Sequence, residues 1–348
     1  MNIKLGIIGF GGMGKWHAAN APRAGVEIIA VCDNDPVKQQ EAVEMGYKLY
    51  RTAEELVADP EINTVILTVP NYLHRDMCLL AAAAGKNVIT EKPAAMTVAE
   101  LDEMEAACWK AGVFFTSHQN RRWDRDMLTV KKAYDEGLLG NIFTIESKLH
   151  SGNGYMHEWH LYKKYGGGMI YDWGVHLIDQ ILFMMPDAKV KSVYADIKNV
   201  LHEEVDDYFK IILKMDNGVT AHIELSTYIL KYQPRWLAAG DKGTMIVEDF
   251  GCHGSIYRTG KMLEKLPPQI TETEAGPTRQ FAPVPPGGIV EEPLPEVQTD
   301  WVDFYRNVAD VLNGRAESVI KIPEVRRVLS VMEAAWESSN TGEAVLFE

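Results

Sequence analysis

The sequence predicts a two-domain chain: an α/β N-terminal domain on a parallel, doubly wound sheet, followed by an α+β domain with a mostly antiparallel open sheet. Three observations predict it. The chain has 348 residues, more than one ordinary hydrophobic core organises. Its first third alternates short β-branched runs with helix-period segments, the pattern of parallel strands joined by crossover helices. Its remainder is rich in strand patterns interrupted by one strong helix, which reads as a helix layer on an antiparallel sheet.

The first element is KLGIIGFGGMG, residues 4–14, a strand running into G-x-G-x-x-G at Gly9, Gly11 and Gly14. A helix over 15–24 follows, and a second strand, VEIIAVCD, ends in Asp33. In that context Gly9 permits a tight turn, Gly11 lets the backbone approach a pyrophosphate, and Gly14 lets the helix pack close to the strand. The first N–H groups of the helix then face the phosphates. Phe10, Gly12 and Met13 complete the loop, and Asn34 follows the acid. A carboxylate at Asp33 accepts from the adenosine ribose hydroxyls and repels a 2′-phosphate, so NAD is expected in preference to NADP. An arginine beside it would reverse that preference, and a ligand-free glycine turn is the plainer alternative.

The alternation continues with strands over 47–50, 64–69, 87–90 and 113–117 and helices over 53–58, 72–84 and 97–111. The last helix opens with a capping box, Thr97 to Glu100. Ligands in such sheets bind at the carboxyl ends of the strands. Those ends carry TVPNYLH (68–74), EKP (91–93) and SHQNRR (117–122).

Beyond them, strands are expected over 142–149, 190–197, 208–215, 220–227, 236–239 and 244–248. The interrupting helix, 168–185, opens within GGGMIYDWGVHLIDQ. Its Asp172, His176 and Asp179 lie at i, i+4 and i+7, one polar stripe on an apolar helix. A buried charge is costly unless it is paired or put to use, so the stripe asks for partners or for chemistry. Asp179 reads as structural, pairing with an arginine or the backbone. A lone histidine in such a helix is ordinarily a satisfied core residue. Residues 267–298 hold half of the chain's 16 prolines, which excludes a helix or a central strand. That segment reads as an arm reaching a neighbouring subunit or as a mobile surface loop. Helices over 300–313 and 323–339 close the chain.

Composition narrows the partners. A formal net charge of −14 repels nucleic acid and anionic membranes alike. Cys32, Cys78, Cys108 and Cys252 show no metal-ligand spacing, so no metal is expected. No leader pattern opens the chain and no apolar stretch is long enough to span a bilayer, so a cytoplasmic location is expected.

In order, GFGGMG, VCDND, TVPNYLH, EKP and GGGMIYDWGVHLID resemble the glucose–fructose oxidoreductase/inositol dehydrogenase (Gfo/Idh/MocA) family over essentially the whole chain. HQNRRWD (118–124) is similar to its scyllo-inositol dehydrogenase-like branch. The resemblance implies a Rossmann domain over 1–121 and a substrate-binding and oligomerisation domain over 122–348, the final helices packing back on the first. It implies a catalytic set of Lys92, Asp172 and His176. Glu91 would contact the nicotinamide ribose, and Pro70, Asn71 and His74 would line the dinucleotide. Substrate contacts are expected from Asn120, Arg122, Trp123, Tyr155, His157 and Trp159, although such aromatics also fit a core. His160 stands near the place where family members often carry an arginine. The implied activity is NAD-dependent hydride transfer with a secondary alcohol of a cyclitol, sugar or glycoside, in a homodimer or homotetramer. Two alternatives are an NAD-dependent glycosidase or lyase working by transient oxidation, and a non-catalytic dinucleotide sensor.

Overall fold

The structure, a computed structural model, describes residues 2–156, 158–259, 268–279 and 284–347. The first domain runs β1 (Lys4–Ile8), α1 (Gly12–Asn20), β2 (Glu27–Cys32), α2 (Pro36–Glu44), β3 (Lys48–Tyr50), α3 (Ala53–Val57), β4 (Thr64–Leu67), α4 (His74–Ala83), β5 (Asn87–Thr90), α5 (Val98–Ala111) and β6 (Phe115–Ser117). Its strands are all parallel, in the order β3-β2-β1-β4-β5-β6. That is the order of a Rossmann sheet, with helices on both faces. Burial on both faces explains the near-continuous apolar runs of β1 and β4. Polar caps fix where the helices begin. Asp35 accepts from Val37 N at the head of α2, and Thr52 from Glu55 N at the head of α3. Thr97 accepts from Glu100 N, while Glu100 reaches back to Met96 N, one residue before the position a standard capping box uses.

The second domain follows with α6 (Arg125–Asp135), β7 (Ile142–His150), α7 (Val175–Met184), β8 (Val190–Lys198), β9 (Tyr208–Met215), β10 (Thr220–Ser226), β11 (Trp236–Gly240), β12 (Gly243–Val247) and β13 (Gly254–Thr259). Then come β14 (Ile270–Thr273), β15 (Gly276–Arg279), β16 (Ile289–Pro293), α8 (Asp303–Leu312), α9 (Ile322–Thr341) and β17 (Val345–Leu346). Nine of these strands form one open sheet, β16-β13-β12-β11-β7-β10-β9-β8-β17. Every neighbouring pair is antiparallel except β7–β10. One face is covered. In β9, Phe209, Ile211, Leu213 and Met215 are buried, alternating with Tyr208, Lys210, Ile212 and Lys214 on the opposite face. Helix α9 lies on β8 and α7 and also touches α5 and β6, so the end of the chain fastens the two domains together. No helix among the described residues is long and apolar enough to cross a membrane.

Two expectations change in detail. The helix expected from residue 168 opens with a π turn, Ile170–Gly174, before α7 begins. The proline-rich segment is partly regular: β14 and β15 form an exposed hairpin, and β16 joins the sheet beside β13. Its Pro293 ends a strand at the sheet edge, where a missing N–H breaks no ladder.

Phe209 is fully buried beneath the π turn, where a Cβ on Gly174 would sit 3.3 Å from its ring. We expect Phe209→Ala to cost about 3–5 kcal/mol, read as a lower urea midpoint at unchanged m.

A candidate dinucleotide and substrate cleft

A cleft of about 1060 Å³ runs along the carboxyl ends of the parallel strands. At one end the glycine loop is shaped from within. Gly9 has φ 97°, and a Cβ there would lie 2.5 Å from the Thr68 carbonyl oxygen. A Cβ on Gly14 would lie 2.2 Å from the Gly9 oxygen, whereas one on Gly11 would meet nothing within 4 Å. Internal packing therefore dictates the outer glycines, and the middle one leaves open space at the head of α1, where a pyrophosphate fits. Gly12 and Met13 line the cleft, while the Phe10 ring is buried against Tyr47 and only its backbone serves the loop. Asp33 accepts from Phe10 N at 2.6 Å and from Asp35 N at 2.8 Å, which fixes its carboxylate beside Asn34 on the cleft wall. Lys38 and Arg51 line the same end.

Pro70 and Asn71 also line the cleft, and Asn71 Nδ2 donates to the Gly166 carbonyl of the second domain at 2.8 Å. His74 does not line it. The ring is fully buried behind the wall, with Nδ1 2.8 Å from the Pro93 oxygen and Nε2 2.9 Å from that of Val69. It pins two cleft loops together instead of touching a ligand.

At the other end, Lys92 Nζ donates to Asp172 Oδ1 at 2.7 Å and to the Asp172 carbonyl at 2.8 Å. Lysine and aspartate both lie on the cleft lining, with Trp159, His160 and Tyr171 around them. His160 Nε2 is 3.8 Å from Asp172 Oδ1, and its ring stacks on Trp159. His176 is off the lining and sits deeper, 4% exposed, with the Trp173 ring edge-on 6.0 Å away. Burial, with the charges of Lys92 and Arg121, holds its imidazole well below the usual range, so it is neutral and able to accept a proton. Its Nδ1 has no hydrogen-bond partner among the described residues.

The triple glycine places this end. A Cβ on Gly167 would strike the His160 carbonyl at 2.3 Å, and one on Gly168 would strike Asp206 Oδ1 at 2.1 Å. Asp206 in turn accepts from Ile170 N at 2.7 Å and, through its backbone oxygen, from Met169 N at 3.0 Å. Burial pushes the Asp206 carboxyl up to about 7. It caps the π turn that carries Asp172, and single π turns recur at functional sites.

Glu91 lines the cleft beside Lys92, but its carboxylate is heavily engaged. Oε1 accepts from His17 Nε2 and His118 Nδ1, both at 2.8 Å, and Oε2 from Lys92 N at 3.1 Å. Burial opposes the anion, yet the two histidines hold its carboxyl well below the usual range. Sequence reasoning passed over His17, His118, Tyr305 and Asp206. The signal for His118 was its place at a strand end, and for His17 its place three residues past Gly14.

Several expected substrate contacts lie elsewhere. Arg122 is 2% exposed, and its guanidinium is spent on Asp179 (2.6 and 2.9 Å), Glu324 (2.6 Å) and the Val319 carbonyl (2.8 Å). A buried fork held by four such bonds clamps α7 and α9, away from the cleft lining. Asp179 is thereby paired. Trp123 packs edge-on against Phe304, and neither it nor Asn120 lines the cleft. Tyr155 is 70% exposed, off the cleft wall. His157 lies outside the described residues. Among the described members of that group, Trp159 alone lines the cleft.

Arg122→Ala should cost about 3–5 kcal/mol in denaturant unfolding, because it strands a buried carboxylate, and should leave dinucleotide affinity unchanged. Acid should also withdraw the stability that His17 contributes. Burial and His118 push His17 down to about 4 from an ordinary 6.5, so folding favours its neutral form. That contribution, about 3 kcal/mol, is complete above pH 6.5 and fades as pH falls towards 4. Asp206, whose carboxyl is pushed up, acts in the opposite sense over the same range, so the readout is the stability of wild type minus that of His17→Gln, which should shrink in thermal unfolding from pH 8 to 4.5.

Comparison with known proteins agrees with this geometry. The NAD-binding Rossmann-fold model of the GFO/IDH/MocA oxidoreductase family matches residues 3–119, and the model of its C-terminal domain matches residues 127–246. The chain is 29% identical to scyllo-inositol 2-dehydrogenase (NADP(+)) of Bacillus subtilis, over 99% of this chain and 96% of that protein. It is 27% identical to myo-inositol 2-dehydrogenase of Thermotoga maritima, over 71% of this chain and 75% of that one. The crystal structure of an NAD-binding protein from Listeria innocua superposes with a TM-score of 0.94 at 34% identity, covering the whole of both chains. Motifs, fold and relatives converge, and the chain belongs to the GFO/IDH/MocA family of oxidoreductases.

Proposed function

We propose that this protein is an NAD-dependent dehydrogenase acting on a secondary alcohol of a cyclitol, sugar or glycoside. The observation that carries the reading is the Lys92–Asp172 pair on the cleft wall with neutral His176 behind it, while the glycine loop and Asp33 shape the far end. The dinucleotide would lie between them, its pyrophosphate over Gly11 and its ribose at Asp33, with Pro70, Asn71 and Glu91 along its length. Bound NAD supplies the hydride acceptor. The chain's own residues handle the rest. The Lys92 ammonium stabilises negative charge as it develops on the substrate oxygen. His176, held neutral, takes the hydroxyl proton. Asp172 orients the ammonium through the bond already in place. Trp159 offers an aromatic face to the C–H face of a ring, and the relatives named for inositols favour that substrate class.

Asp33 favours NAD, since its carboxylate would repel a 2′-phosphate. Lys38 and Arg51 on the same lining, and the NADP named for the Bacillus relative, make the choice a quantity to measure. The reading takes residues 1–121 as the dinucleotide domain and residues 122–348 as the substrate and association domain of a cytoplasmic homodimer or homotetramer.

The test follows reduced nicotinamide by absorbance, with NAD and NADP separately, against inositols, aldoses and aryl glucosides. One substrate class should give net reduction, and Lys92→Ala and His176→Ala should each lower kcat by about 10²–10⁴. Glycoside cleavage without net reduction, or full activity in both variants, would sink the dehydrogenase reading.

A further inference from the structure

We propose that His17, His118 and Tyr305 are positioning residues that fix the Glu91 carboxylate and, through it, the main chain bearing Lys92. The role given to Lys92 rests on the proposed dehydrogenase activity. The four side chains come from α1, the ends of β5 and β6, and α8, and none is more than 5% exposed. Glu91 Oε2 holds the Lys92 N–H, and Oε1 receives both histidines. The Tyr305 oxygen lies 2.6 Å from His17 Nδ1.

Proton positions follow from counting donors. Burial holds Tyr305 well above its ordinary range, so it keeps its hydroxyl proton. His17 is neutral at working pH and carries one ring proton. One arrangement satisfies both His17 nitrogens: Tyr305 O–H donates to Nδ1, and the His17 proton sits on Nε2 and donates to Glu91. The acceptor-only carboxylate requires a donor on Nε2, and the Tyr305 hydroxyl stabilises that tautomer by donating to the lone pair it leaves on Nδ1. His118 is wedged between the His17 ring at 4.5 Å and the Phe304 ring at 4.6 Å, so its Nδ1 stays aimed at the same oxygen.

The same three groups bring His17, Glu91 and His118 ligand atoms within 4.8 Å of one another, so a metal is the rival reading. Spacing argues against it. Ligands about 2.0–2.1 Å from a tetrahedral zinc stand about 3.3 Å apart. The two N···O separations here are 2.8 Å, the length of a hydrogen bond.

Tyr305→Phe tests the idea because it keeps the ring and removes only the hydroxyl. In protein carrying ¹⁵N-histidine, nitrogen spectra should show the wild-type His17 proton on Nε2, and a mixed tautomer or a protonated ring in the variant. The variant's kcat should fall about tenfold with KM for the alcohol nearly unchanged, since Lys92 acts on charge that develops in the transition state. His17→Gln, whose amide can still donate to Glu91, should keep more of kcat than His17→Leu at matched thermal stability. Three results would overturn the proposal: a wild-type proton on Nδ1, a Tyr305→Phe variant with unaltered kcat, or one zinc per chain that His17→Gln loses. The tautomer measurement needs no substrate. A wild-type enzyme that turns over no alcohol would defeat the proposed activity, and the spectra would still decide the network.

Discussion

Lys92 reaches from the end of one sheet to the first turn of the helix that lies on the other. Its ammonium is held between the carboxylate and the carbonyl of the same residue, Asp172. Both side chains are less than one-fifth exposed, so the pair is largely desolvated and its geometry is unforgiving. The surrounding structure works to bring these two groups to one point. On the lysine side, Glu91 holds the following amide and is itself gripped by two histidines. On the aspartate side, Asp206 caps the turn, and Gly167 and Gly168 let it approach. Asn71, donating to Gly166, ties the two supports together.

That arrangement gives the cleft a division of labour. At the glycine loop the backbone packs closely and lies open only because Cβ atoms are missing. The Lys92 end is built from charged and titratable side chains instead. His176 is kept neutral by burial and by the charges of Lys92 and Arg121, while two histidines keep Glu91 ionised against its burial.

Much of this was legible in the amino-acid order. The strand–glycine–helix–strand–Asp33 pattern is local, so spacing alone located one end of the cleft. The i, i+4, i+7 stripe correctly signalled that α7 meets something polar, and Asp179 correctly read as structural. What the stripe meets was not legible. Arg122 looks like a ligand group in a string of basic and aromatic residues, yet its partners, Asp179 and Glu324, lie far along the chain. The π turn was equally hidden, because it depends on a cap from Asp206, thirty-odd residues away and in no recognisable motif. His17 and Tyr305 are separated by most of the chain, and only tertiary packing makes them neighbours.

The ends of the nine-stranded sheet carry a consequence of their own. One border strand, β16, finishes in Glu291, Glu292 and Pro293, and the other, β17, is two residues long. A border with a proline and adjacent negative charges cannot offer a full row of donors, and a two-residue border offers almost none. A broad open sheet is otherwise a template on which further strands add without limit. Here the template is blunted at both margins, so the sheet ends within the chain and does not invite an endless ribbon.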